Sequence, residues 1–197
     1  GRHPGGQLAG YQLSGEYVAE QLEAAGYDVT IQEFDYPFFE ELEPGIFEQI
    51  APNATVYGYF IDFAPMSYSG SGDVTTVAEG VDLIIPPAPD ANTSTSGCEP
   101  EDFNGFTAGN IAILQRGSCS FAQKALNAEA AGAYGVVIFN EGQPGRTEAF
   151  TGTLGGPEST IPVVGTSYAI GEDLATNSAT TRLFVNAVSE TRDTFNV

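Results

Sequence analysis

The sequence predicts an α+β fold, a β-sandwich or barrel-like body with flanking helices and one β-α-β crossover. Three observations carry that expectation. Apolar residues near the N-terminus recur at helical spacing, short β-like runs separated by Gly, Pro and Ser clusters fill the middle, and two apolar runs flank an alanine-rich segment in the centre.

The first periodic segment runs from Leu13 to Ala25. Leu13, Tyr17, Val18, Leu22 and Ala25 fall at three- and four-residue spacings, Ser14 is the expected N-cap with Glu16 in the first turn, and Gly26 stands where a helix ends. In YDVTIQEFDY, Tyr27, Val29 and Ile31 alternate with polar residues as in a half-buried strand. The following FFEELEPGIFEQI is expected to be irregular or short helical, because Pro44-Gly45 interrupts it. TVYGYFIDF, DVTTVAE and VDLIIP read as strands, and PPAPDANTSTSGC as a low-complexity loop. NIAILQR is a buried strand, GSCS a turn with Ser118 or Ser120 available as N-cap, FAQKALNAEAAGA a helix and YGVVIFN a second buried strand. Such a crossover places its helix on one face of the sheet. A glycine-rich loop leads to the strand IPVVGTS, the short helix YAIGEDLAT and a closing strand, TRLFVNAVSETRDTFNV. That last run stops inside an alternating pattern, so the natural chain is expected to continue.

With 197 residues, of which 42% are hydrophobic and 11% aromatic, the chain can bury a core. It carries 26 acidic against 6 basic residues, a formal charge of −20, with Lys124 as the single lysine. Such a field repels phosphate backbones and anionic lipids, so neither nucleic acid nor a membrane is an expected partner. The acids are spread along the chain, which reads as a solvated surface rather than a cation site. No stretch approaches the length of a membrane span, and no basic segment leads into an apolar one at the N-terminus; any signal peptide is expected to have been removed.

Cys98 and Cys119 allow one intramolecular bridge. It is expected over a free buried thiol pair because other features point to an exported protein, and it would stabilise the fold by roughly 3 kcal/mol. Two thiols and the single histidine, His3, do not supply four zinc ligands.

The run GNIAILQRGSCSFAQKALNAEAAGAYGVVIFNE, Gly109 to Glu141, resembles the core of the protease-associated domain: an apolar strand, an arginine-glycine turn, a cysteine, a phenylalanine, a helix lysine and an apolar strand ending in Asn. IPVVGTS resembles that family's second hallmark, and the likeness covers roughly residues 55 to 190. LSGEYVAEQLEAAGYDVTIQEFDY resembles the N-terminal helix and strand of secreted di-zinc aminopeptidases, and SETRDTFNV the strand leading back into their catalytic domain. The resemblance implies three parts: residues 1–40, a helix-strand segment of a parent peptidase; 41–190, the protease-associated domain; and 191–197, the start of a strand returning to an absent catalytic domain. It further implies a secreted, extracellular accessory module that gates substrate access or binds peptide or protein. Zinc is then expected in the absent catalytic domain and no cofactor in this chain. The partners implied are the protein's own catalytic domain and a peptide or protein substrate. The helix over residues 13–25 is expected to bury its apolar stripe on that domain, and a homodimer of the fragment would be the alternative cover. A purely structural, shielding module and an insertion in a subtilisin-like protease are the competing readings.

No catalytic constellation is expected. His3 precedes any ordered element, and Lys124 reads as a surface amine or an ion-pair partner of Glu129 or Glu141. Neither Gly142–Gly145 nor Gly155-Gly156 leads into a helix with a lysine, so no phosphate loop is expected. Five residues are candidates for peptide binding: Arg116, Phe139, Asn140, Glu141 and Arg146. Arg116 would meet a peptide carboxylate or, as the favoured reading, brace its turn against Asp102 or Glu99. Phe139, Asn140 and Glu141 close a strand where ligands gather in open α/β sheets, the bland alternatives being core packing for Phe139 and a turn for Asn140. Arg146 lies in a long loop. Asn53-Ala-Thr and Asn92-Thr-Ser match the glycosylation pattern, which is too short to be informative.

Overall fold

A computed structural model describes residues 5–196, with side chains from residue 10 onward, so His3 and Val197 lie outside the described residues. The chain divides into two compact units, Gly1–Tyr36 with Thr191–Val197, and Pro37–Glu190. No helix among the described residues is long and apolar enough to cross a membrane.

The first unit contains helix α1, Gly5–Ala24, and the outer parts of two long strands, β1, Gln32–Ala51, and β8, Thr180–Asn196. The helix begins well before the expected start. Ser14 is therefore not its cap: its Oγ donates to the Gly10 carbonyl at 2.8 Å. The extra turns hold despite poor helix formers because Tyr11 has a tertiary partner, with its ring 5.5 Å from Phe195 and its hydroxyl donating to the Phe195 carbonyl at 2.9 Å. The C-terminal end is as expected. Gly26 adopts φ +88°, and the amides of Gly26 and Tyr27 donate to Glu23 and Leu22 carbonyls at 2.9 and 3.1 Å. The anticipated apolar stripe lies open, with Leu13 66% and Tyr17 62% exposed.

The strand expected from Tyr27 starts only at Gln32, and instead of ending it runs through the stretch expected to be irregular. Gly45, Phe47 and Gln49 are buried in alternation, a period of two that overrides the break signal of Pro44. Proline has an extended φ available and costs the ladder one donor only.

In the second unit, β2 (Thr55–Val56), β3 (Phe63–Pro65), β4 (Gly72–Gly80), β5 (Ile111–Gln115), β6 (Gly135–Phe139) and β7 (Val163–Thr166) join the inner parts of β1 and β8. Hydrogen bonding follows one order, β2-β1-β8-β4-β5-β6-β7-β3. β4 pairs antiparallel to β8 from Gly72 to Val77, then parallel to β5 from Ala78 to Gly80. This is the α+β class expected.

Of the expected strands, one is broken and one is absent. Only Thr55–Val56 and Phe63 of TVYGYFIDF enter ladders, with a turn between them. VDLIIP is irregular, because the Gln115 side chain accepts from the Ile84 amide at 3.0 Å and donates to its carbonyl at 3.2 Å, replacing a neighbouring strand.

The crossover is present. Ser120 caps helix α2, Phe121–Ala130, by accepting from the Gln123 amide at 3.2 Å, and β5 and β6 pair in parallel from Ile111↔Gly135 to Gln115↔Phe139. Alternation sorts these strands onto two cores. Ile111, Ile113, Val137 and Phe139 pack with Leu174 of helix α3, Tyr168–Thr176, whereas Ala112, Leu114, Val136 and Ile138 pack with Ala125 and Ala128 of α2.

Candidate functional site

Parallel pairing of β5 with β6 brings their carboxyl ends together, and with them four of the five candidate residues. The Arg116 amide donates to the Phe139 carbonyl at 2.8 Å, and its Nη1 lies 3.5 Å from Asn140 Oδ1. The guanidinium carbon stands 5.2 Å from the centre of the Phe150 ring. Arg116 therefore does not brace its turn through Asp102 or Glu99. Those two carboxylates form a reciprocal cap on the 3-10 turn Pro100–Phe103, in which Asp102 accepts from the Glu99 amide at 3.1 Å.

Glu141 is 1% exposed and is the hub of the site. Its Oε1 accepts from the Asn92 amide at 2.7 Å, its Oε2 accepts from Arg146 Nη1 at 2.9 Å, and its carbonyl accepts from Gln115 Nε2 at 3.2 Å. Arg146 also donates to Asn92 Oδ1 at 2.9 Å. One buried carboxylate thus ties the loop before Cys98 to the loop after β6 at the strand ends. Asn140, also buried, donates to the Glu148 carbonyl at 2.9 Å. Phe139 is fully buried against α3, with Tyr168 at 5.9 Å, and offers no surface to a ligand. Only Arg116 and Arg146 keep partial exposure.

Glu141→Gln keeps one acceptor oxygen but sets an NH2 donor against either Arg146 or the Asn92 amide and removes the charge that pairs with Arg146, so it should destabilise the fold by about 2 kcal/mol. Thermal unfolding should show a fall of about 4–8 °C. A melting temperature within one degree of the parent would refute the clamp.

Lys124 is the larger correction. It is neither a surface amine nor a partner of Glu129, whose carboxylate accepts from the Thr160 amide at 3.2 Å. Its side chain is fully buried, and Nζ donates to the Ser96 carbonyl and lies 3.7 Å from Cys98 Sγ. Burial pushes its pKa down to about 8, against the opposing fields of Asp102, Asp82 and Glu141. Cys98 and Cys119 are joined as a disulfide. Beside it, Gly117 is required by close approach, because a Cβ there would run into the Ser94 carbonyl, which also accepts from the Ser118 amide at 2.9 Å.

Sequence reasoning missed Asn92, Gln115, Phe150 and Ser96. Only Gln115 carried a signal, a polar residue closing an apolar strand. The site does not suit zinc: among the described residues no three His, Cys, Asp or Glu side chains gather to hold a metal, and both cysteines are bonded to each other.

Residues 81–174 match the PA domain family model. An aminopeptidase of Pseudomonas aeruginosa is 40% identical over 191 residues, which are 95% of this chain and 35% of the relative. The chain thus spans about a third of the length of the curated relatives it matches. Among solved structures, an aminopeptidase from Aneurinibacillus sp. strain AM-1 is 25% identical with a TM-score of 0.64, covering 94% of this chain and 41% of that one. A zinc aminopeptidase from Bacillus subtilis is 25% identical with a TM-score of 0.56, covering 94% and 40%. With the crossover and these similarities, residues 81–174 form a PA domain, within a chain that is similar over nearly its whole length to a segment of aminopeptidases.

Proposed function

We propose that this chain is the non-catalytic accessory part of an exported, zinc-dependent aminopeptidase, and that it limits which peptides reach the catalytic domain. The observation that carries the reading is the rim at the ends of β5 and β6. Glu141 holds two long loops there as one rigid border, leaving Arg116 and Arg146 partly open to a peptide carboxylate. Support for the peptidase, and for zinc in its catalytic domain, comes from the named relatives; support for export comes from the disulfide. The exposed stripe of α1, with Leu13 and Tyr17, is the second face we assign to the catalytic domain.

The test replaces residues 41–190 of the full-length protein with a short Gly-Ser linker and compares aminoacyl chromogenic substrates with longer peptides. We expect the ratio of kcat/KM for long over short substrates to change by about tenfold, a coupling on the order of 1.4 kcal/mol. An unchanged ratio with a lower melting temperature would favour the second reading, a shield that binds nothing. One observation supports that second reading: Asn140, Glu141 and Gln115 spend their polar atoms inside the chain.

A further inference from the structure

Between Val56 and Phe63 the chain makes a tight turn that aims two large apolar side chains outward. Phe60 is 64% and Ile61 78% exposed. The turn is firmly held. The Gly58 carbonyl accepts from the amides of Ile61 and Asp62 at 3.1 and 2.7 Å, Phe60 N donates to the Phe63 carbonyl at 2.8 Å, and Asp62 Oδ2 accepts from the Gly58 amide at 2.7 Å. The Asp62 carbonyl is fastened to β7 by the Thr166 hydroxyl at 2.7 Å. Phe60 itself sits at φ +57°, a region that bulky residues avoid and keep only when the surroundings impose it. Beside the tip lies a groove of about 300 Å³ bordered by Phe63, Ala64 and Phe150. Phe150 cannot fold over it, because Phe121 at 5.5 Å and the Arg116 guanidinium at 5.2 Å back the ring.

We propose that the Phe60–Ile61 tip is a docking knob for the remainder of the same polypeptide, the peptidase portion. The inference rests on the proposed function for the identity of that portion. Two rigid apolar knobs beside an open groove have the character of an interface anchor rather than of a pocket for a small ligand. The occupant follows from length and charge. The chain spans 35% of its curated relative and 41% of a solved structure, so more than half of such a protein lies outside it, tethered at high effective concentration. A second copy would instead bring another −20 charges to the contact.

The test introduces Ile61→Cys into the full-length protein and measures maleimide labelling of that peptide by mass spectrometry, in native buffer and in guanidinium. We expect native labelling to be at least tenfold slower than denatured labelling and the protection to be independent of protein concentration. Native and denatured rates within about threefold of each other would overturn the proposal, and so would protection that disappears on dilution, which would assign the tip to a second copy. The readout does not involve activity. Failure of the gating assay with a protected tip would therefore sink only the gating, and an unprotected tip with altered substrate preference would sink only the docking.

Discussion

Replacing Gly171 by alanine is expected to lower the unfolding free energy by about 3 kcal/mol, the upper range for forcing atoms into a packed core. A Cβ at Gly171 would fall on the ring and Cβ of Phe139, both fully buried. Phe139 cannot swing aside, because it is enclosed by the core of β5, β6 and α3. The helix must therefore retreat from the sheet and open voids around Leu174. For a chain of this size the loss corresponds to a fall of about 6–12 °C in melting temperature. Gly10→Ala is the matched control. Nothing lies within 4 Å of a Cβ there, the site is helical, and a gain of about 1 kcal/mol is expected. If calorimetry shows the two variants melting alike, the close contact between α3 and β6 is wrong.

Lys124 should add about 2 kcal/mol to the stability of the fold between pH 8 and pH 10. Its pKa is pushed down to about 8 in the folded chain, from 10.5 in the unfolded one. Between those values the unfolded chain holds more protons, so the cost of the buried ammonium is full below pH 8 and fades as the pH rises to 10.5. Few other groups obscure this window. There is no second lysine, and both cysteines are oxidised. Tyr57, Tyr59 and Tyr168 are pushed up to about 12, chiefly by burial, so they contribute stability that is whole below pH 10 and lost as the pH climbs through 10 to 12. Guanidinium unfolding at pH 7, 8, 9 and 10 should therefore show the parent gaining about 2 kcal/mol relative to Lys124→Met as the pH rises. An equal slope in both proteins would mean that Lys124 is solvated.

The role of Lys124 shows how far a one-dimensional reading reaches. Its place on the crossover helix follows from the alanine-rich pattern, but a helix pattern leaves open which loop crosses above it. The segment before Cys98 turns back over α2 and covers the amine with the Ser96 carbonyl. The same holds for Arg116. Its position after β5 is local information, whereas its partner is set by where the loop carrying Phe150 passes, some thirty residues onward. β1 failed in the opposite sense: Pro44-Gly45 is a strong local break signal, yet alternating burial of Gly45, Phe47 and Gln49 extends the strand through it.

Residue order alone sufficed for the crossover, a serine cap narrowed to Ser118 or Ser120, the helix end at Gly26 and the pairing of the two cysteines, because each depends on periodicity, short-range hydrogen bonding or the lack of an alternative partner. Long-range folding assigned the rest: the burial of Lys124, the clamp around Glu141, the outward turn at Phe60 and the unzipped VDLIIP segment. These depend on contacts between segments far apart in the chain. Burial then decides which polar atoms need partners, and the loops that happen to lie nearby supply them.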